Sequence, residues 1–167
     1  MIASQTEIAW LAGFLDGEGT IGLHRANSKK WPHPYLAPHL QAPNTDLRLI
    51  ERARDIIERI TGVRPWRVVA SKAAGRCKMS WRFMVKSQRQ LAVLLPALIP
   101  HLISKHEQAE IVLQFVLRRE GRMRKRWYQY KELDEAAYLQ CLALNKRGLD
   151  APEPVTSPAA LSLVVNE

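Results

Sequence analysis

Trp10-Leu11-Ala12-Gly13-Phe14-Leu15-Asp16-Gly17-Glu18-Gly19 is the stretch on which the fold turns. Just before it, Ser4-Gln5-Thr6-Glu7 has the form of a capping box, in which Ser4 and Glu7 satisfy backbone donors reciprocally. Ile8, Leu11, Ala12 and Leu15 then recur at helical spacing, which predicts a helix with one apolar face. The glycines of Asp16-Gly17-Glu18-Gly19 predict its end, because glycine permits the backbone angles of a C-terminal turn. A helix C-terminus carries partial negative charge, so Asp16 and Glu18 are unfavourable there unless a cation joins them. Mg²⁺ suits such a place, since it binds one or two carboxylates together with substrate phosphates and water.

The distribution of charge points the same way. The chain has 25 Lys and Arg against 16 Asp and Glu, for a net charge of +9 over 167 residues. Acids are absent from two stretches, Arg25 to Thr45 around Lys29 and Lys30, and Arg59 to His106. A surface that lies on a polyanion must clear its carboxylates, and +9 suits counterion release from phosphates. A membrane surface is the weaker partner, because the basic residues fall in strand-like stretches and not on a basic amphipathic helix. The run Leu91 to Ile103 is broken by Pro96, Pro100 and His101 and is too short to span a bilayer. No secretory signal is read, and Cys77 and Cys141 are expected to be reduced, so the expected protein is soluble and intracellular. Bacterial or archaeal cytoplasm and an organelle are equally compatible.

Further along, strands are expected at Thr20 to Arg25 and Tyr35 to Gln41, the second weakened by Pro38. A helix follows the Asn44-Thr45-Asp46 cap and ends at Gly62. A hairpin is expected from Trp66 to Ser71 and from Arg76 to Val85. In its return strand Arg76, Lys78, Ser80 and Arg82 alternate with Cys77, Met79, Trp81 and Phe83, a basic face against an apolar one. Helices are expected at Ser87 to Leu95, Lys105 to Arg119 and Lys131 to Leu144. The basic run Arg118 to Arg126 reads equally as a solvated helix end, a phosphate-gripping loop or a localisation signal. The order is α-β-β-α-β-β-α, an α+β fold with a four-stranded antiparallel sheet covered by helices on one face. One domain is expected over residues 1–148, with a proline-containing tail at 149–167.

Residues 10–19 closely resemble the signature motif of the LAGLIDADG homing endonucleases, and the element order over roughly residues 5–148 is the one that family implies. The resemblance is to the single-motif type encoded in group I introns, in which two identical chains form one enzyme. It implies that Glu18 binds metal together with the backbone oxygen of Gly17. It implies a basic residue near the scissile phosphate at Lys105, in Lys105-His106-Glu107-Gln108-Ala109. Asn44 matches a residue that positions water, although it also reads as a helix cap, and Arg48 is a further phosphate-side candidate. Leu11, Ala12, Gly13, Leu15 and Asp16 are the expected dimer interface, with the small residues letting two motif helices approach. The DNA-binding candidates are His24, Asn27, Ser28, Lys30, Tyr35, Gln41, Arg67, Lys72, Arg76, Lys78, Ser80 and Arg82.

The function so implied is a site-specific DNA endonuclease that uses Mg²⁺ and cuts both strands of a long, partly palindromic target as a homodimer. Mn²⁺ would substitute, and Ca²⁺ would support binding without cleavage. Arginine would read guanine, and glutamine or asparagine adenine, in the major groove. Two other readings use the same scaffold: a maturase acting on group I intron RNA, and a DNA-binding protein that does not cleave.

Overall fold

A computed structural model describes residues 2–28, 31–71, 78–119 and 131–145. The elements, in chain order, are α1 (Gln5–Glu18), β1 (Thr20–Ser28), β2 (Trp31–Asn44), α2 (Leu47–Thr61), β3 (Trp66–Ser71), β4 (Ser80–Val85), α3 (Gln88–Leu98), α4 (His106–Arg119) and α5 (Lys131–Asn145). The α+β fold and its helix-strand order are therefore as the sequence implies. The tail at 149–167 lies outside the described residues, as do Lys30, Lys72, Arg76, Cys77 and the basic run after Arg119.

α1 begins where the capping box requires. The Ser4 hydroxyl accepts from Glu7 N, and Glu7 Oε2 accepts from Ser4 N at 3.0 Å. α2 is capped by Asp46, whose carboxylate accepts from Arg48 N, so the cap lies two residues beyond Asn44. It closes at Gly62, whose φ of 73° is a left-handed conformation that glycine adopts without strain. α3 continues through Pro96 to Leu98 and does not end at Leu95. Burial of Leu91, Leu94, Leu95 and Leu98 along one face outweighs the backbone bond that Pro96 cannot donate.

The four strands form one antiparallel sheet in the order β1-β2-β4-β3. β2 is longer than the sequence suggests and contains Pro38, which nevertheless fits. β4 pairs with β2 only from Leu40 to Asn44, so at Pro38 the flank toward β4 is an unpaired edge. Strand residues alternate between two faces. Ile21, Leu23, Leu40, Ala42, Phe83 and Val85 point into the core beneath the helices. The register places Thr20, Gly22, His24, Tyr35, Ala37, His39, Gln41, Ser80, Arg82 and Met84 on the opposite face, hereafter the outer face. Trp66 and Val68 join that face from β3, and Trp66 is 80% exposed.

α4 and α5 pack against β1, and an ion cluster fixes their junction. Asp134 on α5 is buried and accepts from Arg118 and Arg119 on α4, while Arg119 also donates to the Leu36 carbonyl of β2. These two arginines are held within the fold; the rest of the basic run lies outside the described residues. Cys141 is buried and its thiol is pushed up to about 11 by that burial. No helix among the described residues is long and apolar enough to cross a membrane.

Candidate active site

The C-terminal end of α1 meets the turn before α4, which sets Asp16 against Lys105 two residues before Glu18. β1 starts immediately beyond it, with Thr20 opposite Gln41 of β2. β2 then runs three residues past Gln41 to Asn44, and α1 packs against this strand. On the other side, the turn before α4 is tied to Asp16. Asp16 Oδ2 accepts from Ile103 N at 2.7 Å, and Oδ1 accepts from Ser104 Oγ and Lys105 N, both at 3.0 Å. The Lys105 ammonium donates to the Asp16 carbonyl, capping a helix end where positive charge is favourable. Burial pushes the Asp16 carboxyl up, but the bonds from Ile103, Ser104 and Lys105 outweigh it and hold the group below its ordinary value.

The two carboxylates of the motif therefore do different work. Asp16 is committed to hydrogen bonds inside the chain, whereas Glu18 is exposed and makes no hydrogen bond or ion pair among the described residues. Gly17 beside it is exposed, with nothing within 4 Å of an added Cβ. One open carboxylate next to an accessible backbone carbonyl suits a Mg²⁺ ion that takes its remaining oxygens from phosphates and water. Gly19 serves a different purpose from the one its composition suggests. Its φ of −85° is open to any residue, but an added Cβ would lie 2.6 Å from the Leu15 carbonyl oxygen. The turn excludes a side chain by space and not by backbone angle.

Asn44 Oδ1 accepts from Asp46 N at 2.8 Å, which leaves its amide donors for other partners. Arg48 is drawn back onto Asp46, with Nη2 to Oδ2 at 2.6 Å, and its side chain is 90% exposed. It must release Asp46 to reach a phosphate.

Most of the residues expected at the dimer interface face inward. Leu11, Ala12 and Leu15 are fully buried in the chain's own core, and Asp16 is held by the turn before α4. Only Gly13 of the expected set faces outward, where it is exposed with open space around it. The outward face of α1 instead shows Ala9, Gly13 and Gly17 at four-residue spacing. Beside them Trp10 stacks on Phe14 at 5.5 Å, with Arg52 of α2 lying over the Trp10 ring. The core stripe of a helix and its free stripe lie one residue apart in sequence, and the apolar residues fill the first.

Several arginines assigned to the polyanion surface are occupied elsewhere. Arg67 was a DNA-binding candidate, but it shares the helix-side face with Phe83 and pairs with Glu51 of α2 at 2.8 Å. Arg59 pairs with Glu7, Arg64 with Glu51, Asp55 and Glu58, and Arg25 with Glu135. The acids absent from the strand sequences stand across from them on helices. On the outer face, His24, Tyr35, Gln41, Ser80 and Arg82 lie as expected. Lys78 is exposed just before β4, and Asn27 and Ser28 close β1 at the end remote from Glu18. Arg82, Lys78, Lys86 and Arg89 form no ion pair among the described residues, and Arg82 Nε is buried without a partner. His39 and Trp66 also lie on this face and were missed; a period-two reading of Tyr35 to Gln41 would have found His39.

No protein-family model and no curated protein sequence matches the chain. Solved structures do. The fold is that of the LAGLIDADG homing endonucleases. The homing endonuclease I-CvuI, solved on an I-CreI target in the presence of magnesium, aligns over 87% of this chain and 85% of its own, with a TM-score of 0.68 and 20% identity. The archaeal intron-encoded homing endonuclease I-Vdi141I, complexed with DNA, aligns over 86% of both chains with a TM-score of 0.67 and 11% identity. The LAGLIDADG homing endonuclease I-GzeII, in complex with a DNA target, aligns over 82% of this chain and 43% of its own, with a TM-score of 0.53 and 13% identity.

Proposed function

We propose that the chain is a site-specific DNA endonuclease that works as a symmetric homodimer with Mg²⁺. The observation that carries this is the contrast between two neighbouring carboxylates. Asp16 is spent on placing Lys105, while Glu18 stands open beside it at a helix end. A structural turn has no use for an unpartnered carboxylate in that position; a metal-dependent phosphodiesterase does. The DNA complexes of the proteins sharing this fold support the same reading.

Glu18 and the Gly17 carbonyl would hold the ion. When bound it supplies a Lewis acid for the scissile phosphate and stabilises the leaving oxygen. Lys105 sets its ammonium at the phosphate side of the site, where it offsets charge as the phosphate is attacked. Asn44 uses its free amide donors to orient the attacking water or a phosphate oxygen. Each chain offers one Glu18, and a duplex has two strands to cut, so two copies are needed. The outward stripe of Ala9, Gly13 and Gly17 supports a close helix-on-helix contact between copies, which would bring the two Glu18 ends together. The outer sheet face lies along the duplex, with Arg82, Gln41 and Tyr35 toward base edges.

The experiment is to incubate the protein with a randomised duplex library in Mg²⁺, and separately in chelator, and sequence the new ends. A recurrent, roughly two-fold symmetric site cut only with Mg²⁺ is expected. Uncut libraries in every divalent cation would remove the enzymatic reading.

A further inference from the structure

On the outer sheet face two histidines meet nitrogen to nitrogen. His24 on β1 and His39 on β2 occupy diagonal positions, since Gly22 stands opposite His39 and His24 opposite Ala37. Their Nδ1 atoms are 3.2 Å apart, and the rings cross at 74° with centroids 5.0 Å apart. The residues directly opposite, Gly22 and Ala37, are small; beside His39 the Asn145 amide of α5 comes within 3.4 Å of where a Gly22 Cβ would stand, and the His39 ring is half-buried.

A contact of that length between two imidazole nitrogens needs one proton between them. Burial, the neighbouring ring and the Lys86 charge push His39 down to about 4. His24 is lowered too, by burial and then Lys86, with a hydrogen bond to the Ala37 backbone opposing them. Both rings are thus neutral near pH 7, and each carries a single proton. The ring that donates through Nδ1 has a bare Nε2, an acceptor. The ring that accepts at Nδ1 must carry its proton on Nε2, a donor. Each ring's tautomer is therefore coupled to the other's, and to the Ala37 carbonyl that accepts from His24.

We propose that His24 and His39 read the bound duplex as one unit, presenting one donor and one acceptor whose identities are fixed by the shared proton. This rests on the reading of the outer sheet face as the DNA surface. The acceptor decides the kind of contact, because a bare imidazole nitrogen and a phosphate oxygen repel one another. Base edges suit both arms. The acceptor takes an exocyclic amine, adenine N6 or cytosine N4, and the donor takes guanine O6 or N7, adenine N7 or thymine O4. Removing either ring frees the other to adopt both tautomers, so one substitution blurs two contacts.

Two measurements test it. In the wild-type protein, long-range proton–nitrogen NMR of the imidazoles should show one Nδ1–H and one Nε2–H tautomer for this pair; two Nε2–H rings overturn the proposal. Then His24→Phe and His39→Phe, which keep a planar aromatic ring without its nitrogens, are assayed for binding in Ca²⁺ to single-base variants of the target selected from the library. Each variant should lose preference, on the order of tenfold or more, at the same two base positions. If each variant relaxes a single, different position, or none, the rings act independently and the proposal falls. A wild-type protein with no base preference anywhere would instead sink the assignment of the outer face to DNA.

Discussion

Asp16 is the residue whose substitution separates a catalytic from a merely structural account of the motif. Its carboxylate accepts from Ile103 N, Ser104 Oγ and Lys105 N. At about 1 kcal/mol for each net hydrogen bond, Asp16→Ala removes about 3 kcal/mol of restraint on the turn that carries Lys105. Asp16→Asn can keep the two bonds to Oδ1 and loses the one from Ile103 N, about 1 kcal/mol. If that restraint places the Lys105 ammonium, the loss appears in the rate. At about 1.4 kcal/mol per factor of ten, cleavage falls about fivefold for Asn and about 100-fold for Ala. Binding should change little, because Asp16 faces the protein. The assay is single-turnover cleavage of the selected target, with binding measured in Ca²⁺ and melting followed in parallel. The same substitutions are repeated in a Lys105→Ala background, where the rate effect of Asp16→Asn should nearly vanish. Additive losses in rate, or equal losses in binding and rate, would refute the claim that Asp16 acts through Lys105.

Gly19→Ala should destabilise the chain by about 1–3 kcal/mol in denaturant titration, because its Cβ meets the Leu15 carbonyl oxygen at 2.6 Å; an unchanged midpoint would contradict the spatial argument. Gly13→Leu should abolish dimerisation in sedimentation while the separated chain stays folded, whereas Ala12→Leu should damage the core itself. Glu7 is held down to about 2, by the hydrogen bond from Arg59 first and the Ser4 backbone second, against an ordinary value of 4.5. Its folded value is depressed, so its contribution is fully present above pH 4.5 and is lost as pH falls from 4.5 toward 2. Glu7→Gln should flatten melting temperature across that window, and an unaltered acid profile would show that the ion pair contributes nothing.

The sequence showed the fold because its local signals agree. The capping box, the apolar spacing of Ile8, Leu11 and Leu15, and the Gly62 stop each mark one element without reference to the others. Glu18 is legible as a candidate through the motif at residues 10–19, and Lys105 through the separate stretch Lys105 to Ala109. What failed were questions of facing, which depend on partners remote in sequence. Arg67 looks like any other basic strand residue until β4 pairs with it and turns it toward Glu51 on α2. An acid-free stretch of sequence says nothing about acids packed against it: Arg59 and Arg64 fall in such a stretch, yet Glu7 and Glu58 hold them. The motif helix has an inner and an outer stripe, and only the contacts of Leu11, Ala12 and Leu15 with the core decide which is which. Asp16 gives no sign in the sequence of its structural role, because its partners, Ile103 to Lys105, lie far along the chain.

Glu18→Gln on the library-selected target tests the central claim most directly. The change keeps the shape of the side chain, removes its charge, and touches no hydrogen bond among the described residues. Target binding in Ca²⁺ and the melting temperature should match the wild-type chain, while cleavage in Mg²⁺ should fall below detection. Cleavage at the wild-type rate by Glu18→Gln would contradict the account, because the open carboxylate would then have no part in the chemistry.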